Sequence, residues 1–229
     1  MAKKKKGANP QAVSSVEETL TKTEQFLEEN YKSLLIVLGI IVIIVGLVWL
    51  GKLYLNKRND EAQSQVYQAE RYLEMDSLNL ALNGDGNYLG FLDIANNYKH
   101  TNVGNLALYS AGICYLHMGN YQEAINYLSK YSKKDKLIAS LAIGAIGDAY
   151  VEMGNTDKGI SQYLEAADFA DNSFNTPLFL MKAAELYELT QKYSHALKLY
   201  EKIENKYPES TEGMIIEKYI ARVKVLMSK

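Results

Sequence analysis

Apolar positions along this 229-residue chain follow two different patterns. From Ser33 to Gly51, nineteen consecutive residues carry no charge and are rich in Ile, Val and Leu; Lys32 and Lys52 bracket them. At about 1.5 Å of rise per residue, such a helix just crosses a hydrocarbon core of roughly 30 Å. Leu53 and Leu55 extend the run, and Trp49 and Tyr54 suit one membrane interface, so a transmembrane helix is predicted over 33–55. A cleaved signal peptide fits less well, because the run is too long and no small-x-small site follows it. Beyond the span, apolar residues recur every three or four positions, the period of amphipathic helices. Before it, Ser14/Ser15 and then Glu17/Glu18 read as a helix start. Val16, Leu20, Leu27 and Tyr31 would share one face of that helix. It either lies on the membrane surface, packs on a partner, or simply leads into the span. Residues 1–13 hold four lysines, then Gly, Asn and Pro, and are expected to lack fixed structure.

Within the amphipathic region a single pattern returns three times. Gly112 to Tyr131 reads G-x-x-Y-x-x-x-G-N-Y-x-x-A-I-x-x-x-L-x-x-Y. It returns as Gly147, Tyr150, Gly154, Asn155, Ile160, Tyr163 and Ala166. More loosely, it returns as Ala184, Tyr187, Tyr193, Ala196, Leu197, Tyr200, Ile203 and Pro208. The offsets are 35 residues (112 to 147) and 37 residues (147 to 184). A period near 34 is the mark of tetratricopeptide repeats, helical hairpins that bury their apolar faces only by stacking. The small residue at Gly112, Gly147 and Ala184 lets the two helices of a hairpin approach, and Tyr115, Tyr150 and Tyr187 fill the space beside it. Gly119-Asn120 and Gly154-Asn155 suit the left-handed helix stop. Ala124 and Ala196 are again small at crossings, but the second copy has Gly159, which costs roughly 0.5–1 kcal/mol relative to Ala. The second helix of that repeat is therefore expected to be the softest.

These signals predict an all-α chain: one transmembrane helix followed by a tetratricopeptide-repeat α-solenoid. The expected organisation is an N-terminal tail with a short amphipathic helix over 1–32, the span over 33–55, and the repeat domain over 56–229. Neither Gly nor Pro interrupts Lys52 to Asp76, so one long helix should run from the span into a degenerate repeat at 58–98. Its second helix is expected over Tyr88–Tyr98, after a loop at Asp76–Asn87. Repeats at 105–138, 140–173 and 177–210 follow, then a capping helix at 211–227. Asn83-Gly84-Asp85-Gly86-Asn87 superficially suggests a calcium loop, but Ala81 and Leu92 occupy the places where ligands should be, so a glycine-rich turn is expected.

Composition narrows the function. The chain has 25 basic and 27 acidic residues and no clustered basic face, so nucleic acid is not an expected partner. The run Lys3–Lys6 reads as a solvated tail near an anionic leaflet. A single cysteine, Cys114, excludes an internal disulfide and suits core packing. His100, His117 and His195 are scattered, without metal-ligand spacing. No nucleophile elbow, phosphate loop or dinucleotide fingerprint occurs. Neither catalytic residues nor a cofactor or metal site is expected, and the chain is not expected to be an enzyme.

Function should therefore sit in the groove lined by the first helix of each repeat. Chaperone-tail clamps place Lys and Asn at set groove positions; here Leu106, Tyr109, Ser110, Ile113, Leu141, Gly144, Ala145, Asp148, Leu178, Met181, Lys182 and Glu185 stand there. One lysine cannot fork a carboxylate pair, so an acidic tail is a poor ligand. The groove is apolar with an acidic rim of Asp148, Glu152, Glu185 and Glu188, suited to an amphipathic or partly unfolded segment with basic flanks. The candidate partner-binding residues are Tyr109, Ile113, Leu116, Asp148, Val151, Met181, Glu185 and Glu188. Leu106, Leu141 and Leu178 are assigned to packing between repeats; for Tyr109, Ile113, Met181 and Glu185 packing and binding are both open.

The lead-in Glu24-Gln25-Phe26-Leu27-Glu28-Glu29-Asn30-Tyr31-Lys32, running directly into the span, resembles the ancillary Sec translocon subunits of the tetratricopeptide type. The resemblance implies a bacterial inner-membrane protein with a cytoplasmic N-terminus and a periplasmic repeat domain. It also implies partnership with the translocon, a membrane-anchored periplasmic peptidyl-prolyl isomerase chaperone and exported polypeptides. Flanking charge alone (Lys3, Lys4, Lys5, Lys6, Lys22 and Lys32 against Lys52, Lys57, Arg58 and Arg71) tilts the N-terminus inward only slightly. The expected function is a non-enzymatic, membrane-anchored scaffold or chaperone partner near the translocon. The competing reading is an envelope assembly or division scaffold holding one stable folded partner; a cytoplasmic adaptor would need the opposite topology.

Overall fold

The computed structural model describes residues 10–228, with side chains described from Asn30 onward apart from that of Ala170. The Lys3–Lys6 tail lies outside the described residues, as do the side chains of Val16, Leu20 and Leu27. The chain divides into two units, Met1–Tyr54 and Leu55–Lys229. Helix α1 (Pro10–Glu74) contributes to both, and within it Asn30–Glu74 contains a window of mean hydropathy 3.1 with none of it buried. That stretch is long and apolar enough to cross a membrane. The helix includes Pro10–Val13, earlier than the sequence suggested; proline is well placed in a first turn, where its missing N–H costs nothing.

The second unit is built from hairpins, and its described residues contain helices but no strand. The end of α1 is followed by two short helices, α2 (Leu78–Asn83) and α3 (Phe91–Asn97). Then come α4 (Asn102–His117), α5 (Tyr121–Lys130), α6 (Lys136–Glu152), α7 (Thr156–Ala170), α8 (Asn175–Leu189) and α9 (Tyr193–Lys206). A 3-10 turn at Gly213–Ile215 leads into α10 (Ile216–Met227). From α3 to α10 each helix packs on the next in sequence, and α4 also touches α6 as α6 touches α8. The helices α4, α6 and α8 therefore form one layer of a TPR-like α-solenoid.

The loop expected over Asp76–Asn87 contains α2, and the second helix of the leading pair is shortened to α3. Glycine explains the break. A Cβ on Gly90 would run into the backbone of Leu82 and Gly84, and Gly84 and Gly86 hold φ of 80° and 91°. The Asp85 carboxylate accepts hydrogen bonds from the Tyr72 hydroxyl (2.7 Å) and from the backbone N–H groups of Asn87 (2.9 Å) and Tyr88 (2.8 Å). This turn is thus built from backbone and one carboxylate.

Small residues sit where the pattern placed them. A Cβ on Gly112 would stand 2.5 Å from Leu128 Cγ, and one on Gly147 2.7 Å from the Tyr163 ring. Gly144 is closer still to the Phe179 ring of α8. Gly159, expected only as a weak point, lies directly under the Val151 side chain, so its missing Cβ is occupied by packing. Each first helix ends in one turn geometry, with the backbone N–H of Ser77, Asn120, Asn155 and Lys192 donating to the carbonyls of Tyr72, Tyr115, Tyr150 and Tyr187 at 2.8–2.9 Å. The left-handed residue inside that turn is Asp76, Gly119, Gly154 and Gln191 in turn.

Candidate protein-binding surface

The side chains assigned to the groove fall into three groups in the structure. Tyr109, Ile113 and Leu116 are half-buried and pack on the core between α4, α5 and α6; the Tyr109 ring lies 6.0 Å from that of Tyr131. Met181 is buried, and Val151 packs on the rear core over Gly159. The third group is acidic. Asp148 accepts from the Tyr163 hydroxyl of α7 and from Lys182 Nζ of α8 at 2.7 Å. Glu188 accepts from the Tyr200 hydroxyl of α9 (3.1 Å) and from the Arg222 guanidinium of α10 (2.9 Å).

Two members of the expected acidic rim therefore tie successive layers together. A carboxylate at a half-dry seam is cheaper to keep when hydrogen-bonded and paired. Burial, with the adjacent carboxylates, pushes the Tyr163 and Tyr200 phenols far above their ordinary range, so both remain donors at any working pH. Glu185 stays exposed; partial desolvation lifts its carboxyl, Arg222 opposes that and Glu188 adds to it. Burial pushes the Cys114 thiol up to about 11, which fits core packing.

An open cavity of about 710 Å³ lies beside this layer, at the start of α6 and α8. Leu137 and Leu141 of α6, Phe174 and Leu178 at the start of α8, and Tyr207 and Pro208 after α9 give it apolar walls. Phe174 is 80% exposed and Leu137 47% exposed. The loop that carries Phe174 is held firmly. Asn172 Oδ1 accepts from the backbone N–H groups of Phe174 (2.8 Å) and Asn175 (2.7 Å). The Thr176 hydroxyl donates to the Ala167 carbonyl at 3.0 Å, and Asn175 Nδ2 donates to the Leu137 carbonyl at 3.1 Å. The Tyr207 hydroxyl donates to Asp171, which itself sits at φ 39°. These bonds hold the backbone that presents an exposed aromatic residue at the mouth of an apolar cleft.

Sequence reasoning missed Phe174 and Tyr207 and assigned Leu141 and Leu178 to packing alone. One signal was available: Asp171-Asn172-Ser173-Phe174-Asn175 places a lone aromatic among four polar residues, outside any helical stripe.

Stacked hairpins with small residues at their crossings define a class of protein, the repeat scaffold that presents surfaces for protein–protein interaction. Comparison with known proteins agrees. The tetratricopeptide repeat family model matches residues 106–135 and 179–210. A solved crystal structure from Podosopora anserina, of a kinesin light chain with nearly identical TPR-like repeats, superimposes with a TM-score of 0.55 at 14% identity. The match covers 72% of this chain and 85% of that one, and shows the fold alone. No curated relative matches this chain in sequence.

Proposed function

We propose that this chain is a non-enzymatic, membrane-anchored scaffold that holds apolar segments of other proteins, working near the Sec translocon on exported polypeptides. The observation that carries the binding role is the ordered cleft at Leu137, Leu141, Phe174 and Leu178. Tethering by Asn30–Glu74 keeps the scaffold at a bilayer, where newly exported segments are briefly unpacked. The likeness of the lead-in to ancillary translocon subunits supports a cytoplasmic N-terminus, a periplasmic repeat domain and a partnership with a peptidyl-prolyl isomerase chaperone. An apolar cleft framed by backbone-fixed residues favours side-chain anchors over charge recognition.

A photo-crosslinking residue at Leu137 or Ser173 in intact membranes tests this. Adducts with translocon, chaperone or exported chains are expected, and Phe174→Ala should lower their yield about tenfold, the effect of losing roughly 1.4 kcal/mol of contact. Because Phe174 is already in water, the same variant should unfold at nearly the same denaturant concentration. Absence of adducts, or yields untouched by Phe174→Ala, would overturn the proposal.

A further inference from the structure

Interior layers of a solenoid are covered on both sides, whereas the first and last layers each leave one face open, usually made polar. Neither end of this solenoid is fully polar. At the rear, α10 turns Ile216, Ile220 and Val223 inward. Its outward positions 218, 221 and 225 share one helix face and carry Lys218, Ala221 and Val225 (57% exposed), and Met214 of the preceding 3-10 turn is 72% exposed. At the front, Ala62, Val66 and Ala69 of α1 are turned inward. Tyr67 (62% exposed), away from that stripe, and Met75 (55% exposed), just past the end of the helix, face solvent.

The two open faces have opposite charge. The front stretch 60–76 holds Asp60, Glu61, Glu70, Glu74 and Asp76 against Arg71. The rear helix holds Lys218 and Lys224 against Glu217, its Arg222 being already bonded to Glu188. Glu70 and Glu74 lie one turn apart on the same helix, a like-charge pair that disfavours the isolated helix, and among the described residues neither has an ion-pair partner. Lys224 likewise has none. Burial and the neighbouring Glu74 already push the Glu70 carboxyl up, the response of an acid short of a cation.

We propose that repeat units of separate copies of this chain join head to tail, the basic outer face of α10 on one copy seated against the acidic outer face of α1 residues 60–76 on the next. Tyr67 and Met75 then meet Met214 and Val225, while Glu70 and Glu74 gain Lys218 on that face and Lys224 at its flank. The two faces differ, so the contact is heterologous and each copy can take a neighbour at both ends. A face of this mixed polar and apolar character yields a reversible row that depends on concentration, independent of any cargo in the cleft.

The test uses the full-length chain in its membrane, with Cys114→Ala to leave chosen thiols only. Copies carrying Tyr67→Cys and copies carrying Val225→Cys are expressed together and treated with a short bismaleimide. A dimer is expected only when both variants are present; a chain bearing both cysteines should give a ladder of dimers, trimers and larger species. Lys218→Glu with Lys224→Glu should reduce the ladder at least tenfold, and adding Glu70→Lys with Glu74→Lys to the same chain should restore it. Circular dichroism and thermal melting of each variant confirm that the helices persist. The inference fails if folded variants give no dimer, if either single variant crosslinks to itself equally well, if the second charge reversal restores nothing, or if the thiols capture a different protein instead. None of these readouts involves the cleft at Phe174, so failure here leaves the proposed function standing.

Discussion

Gln191 holds φ at 59° in the same turn where two earlier repeats use Gly119 and Gly154. An L-residue in the left-handed region costs roughly 1–2 kcal/mol, and glycine avoids most of it. Gln191→Gly should therefore stabilise the domain by about 1 kcal/mol, read as a higher urea midpoint at unchanged slope. Gly144→Ala should do the opposite. Its Cβ would enter the buried Phe179 ring, and overpacking of that kind costs about 1–3 kcal/mol. Glycine announces such positions in a sequence, so two of the four helix stops were legible as Gly-Asn. Asp76 and Gln191 were not, because neither side chain signals its backbone angle. The tyrosine four residues earlier (Tyr72, Tyr187) was the better marker, and it extends the turn to the leading pair.

Helices α4 to α9 could be drawn from periodicity because each buries one continuous stripe beside a small-residue crossing. The segment after Glu74 could not, since its fold depends on backbone contacts at Gly84 and Gly90 that leave no apolar pattern. Asp85 organises that turn, and its bond from Tyr72, followed by those from Tyr88 and Asn87, holds its carboxyl below the usual range. A depressed folded value means the contribution is present above the unfolded value and fades as pH falls through the folded one. Asp85→Asn should accordingly weaken the protein at pH 7, with the gap between variant and parent closing toward pH 3 in parallel denaturant titrations. A gap that stayed constant would show that the carboxylate charge is irrelevant to the turn. The 171–176 loop showed only a lone aromatic among polar residues: Asn172 and Thr176 look like ordinary turn residues until their bonds are seen to hold the backbone around Phe174.

Across the molecule, the repeat architecture was readable because stacking needs the same small and large residues at every period. The binding surface was less so, since a sequence pattern tells which residues share a face but not which of them a neighbouring layer has already used. Met181 shows this; it stands on α8 and its side chain is buried. The carboxylates of Asp148 and Glu188 show it too, each matched by a cation from the next layer. Cancelled charges of this kind cast little field outward. The cleft itself carries Lys206 against Glu209 and Glu212 beside its apolar walls, so ionic strength has only a small net charge to screen there. Association through the cleft should hold or tighten on going from low to high salt in a pull-down on membranes, and a steep loss would mean that Glu209 and Glu212, not the hydrocarbon, do the recruiting.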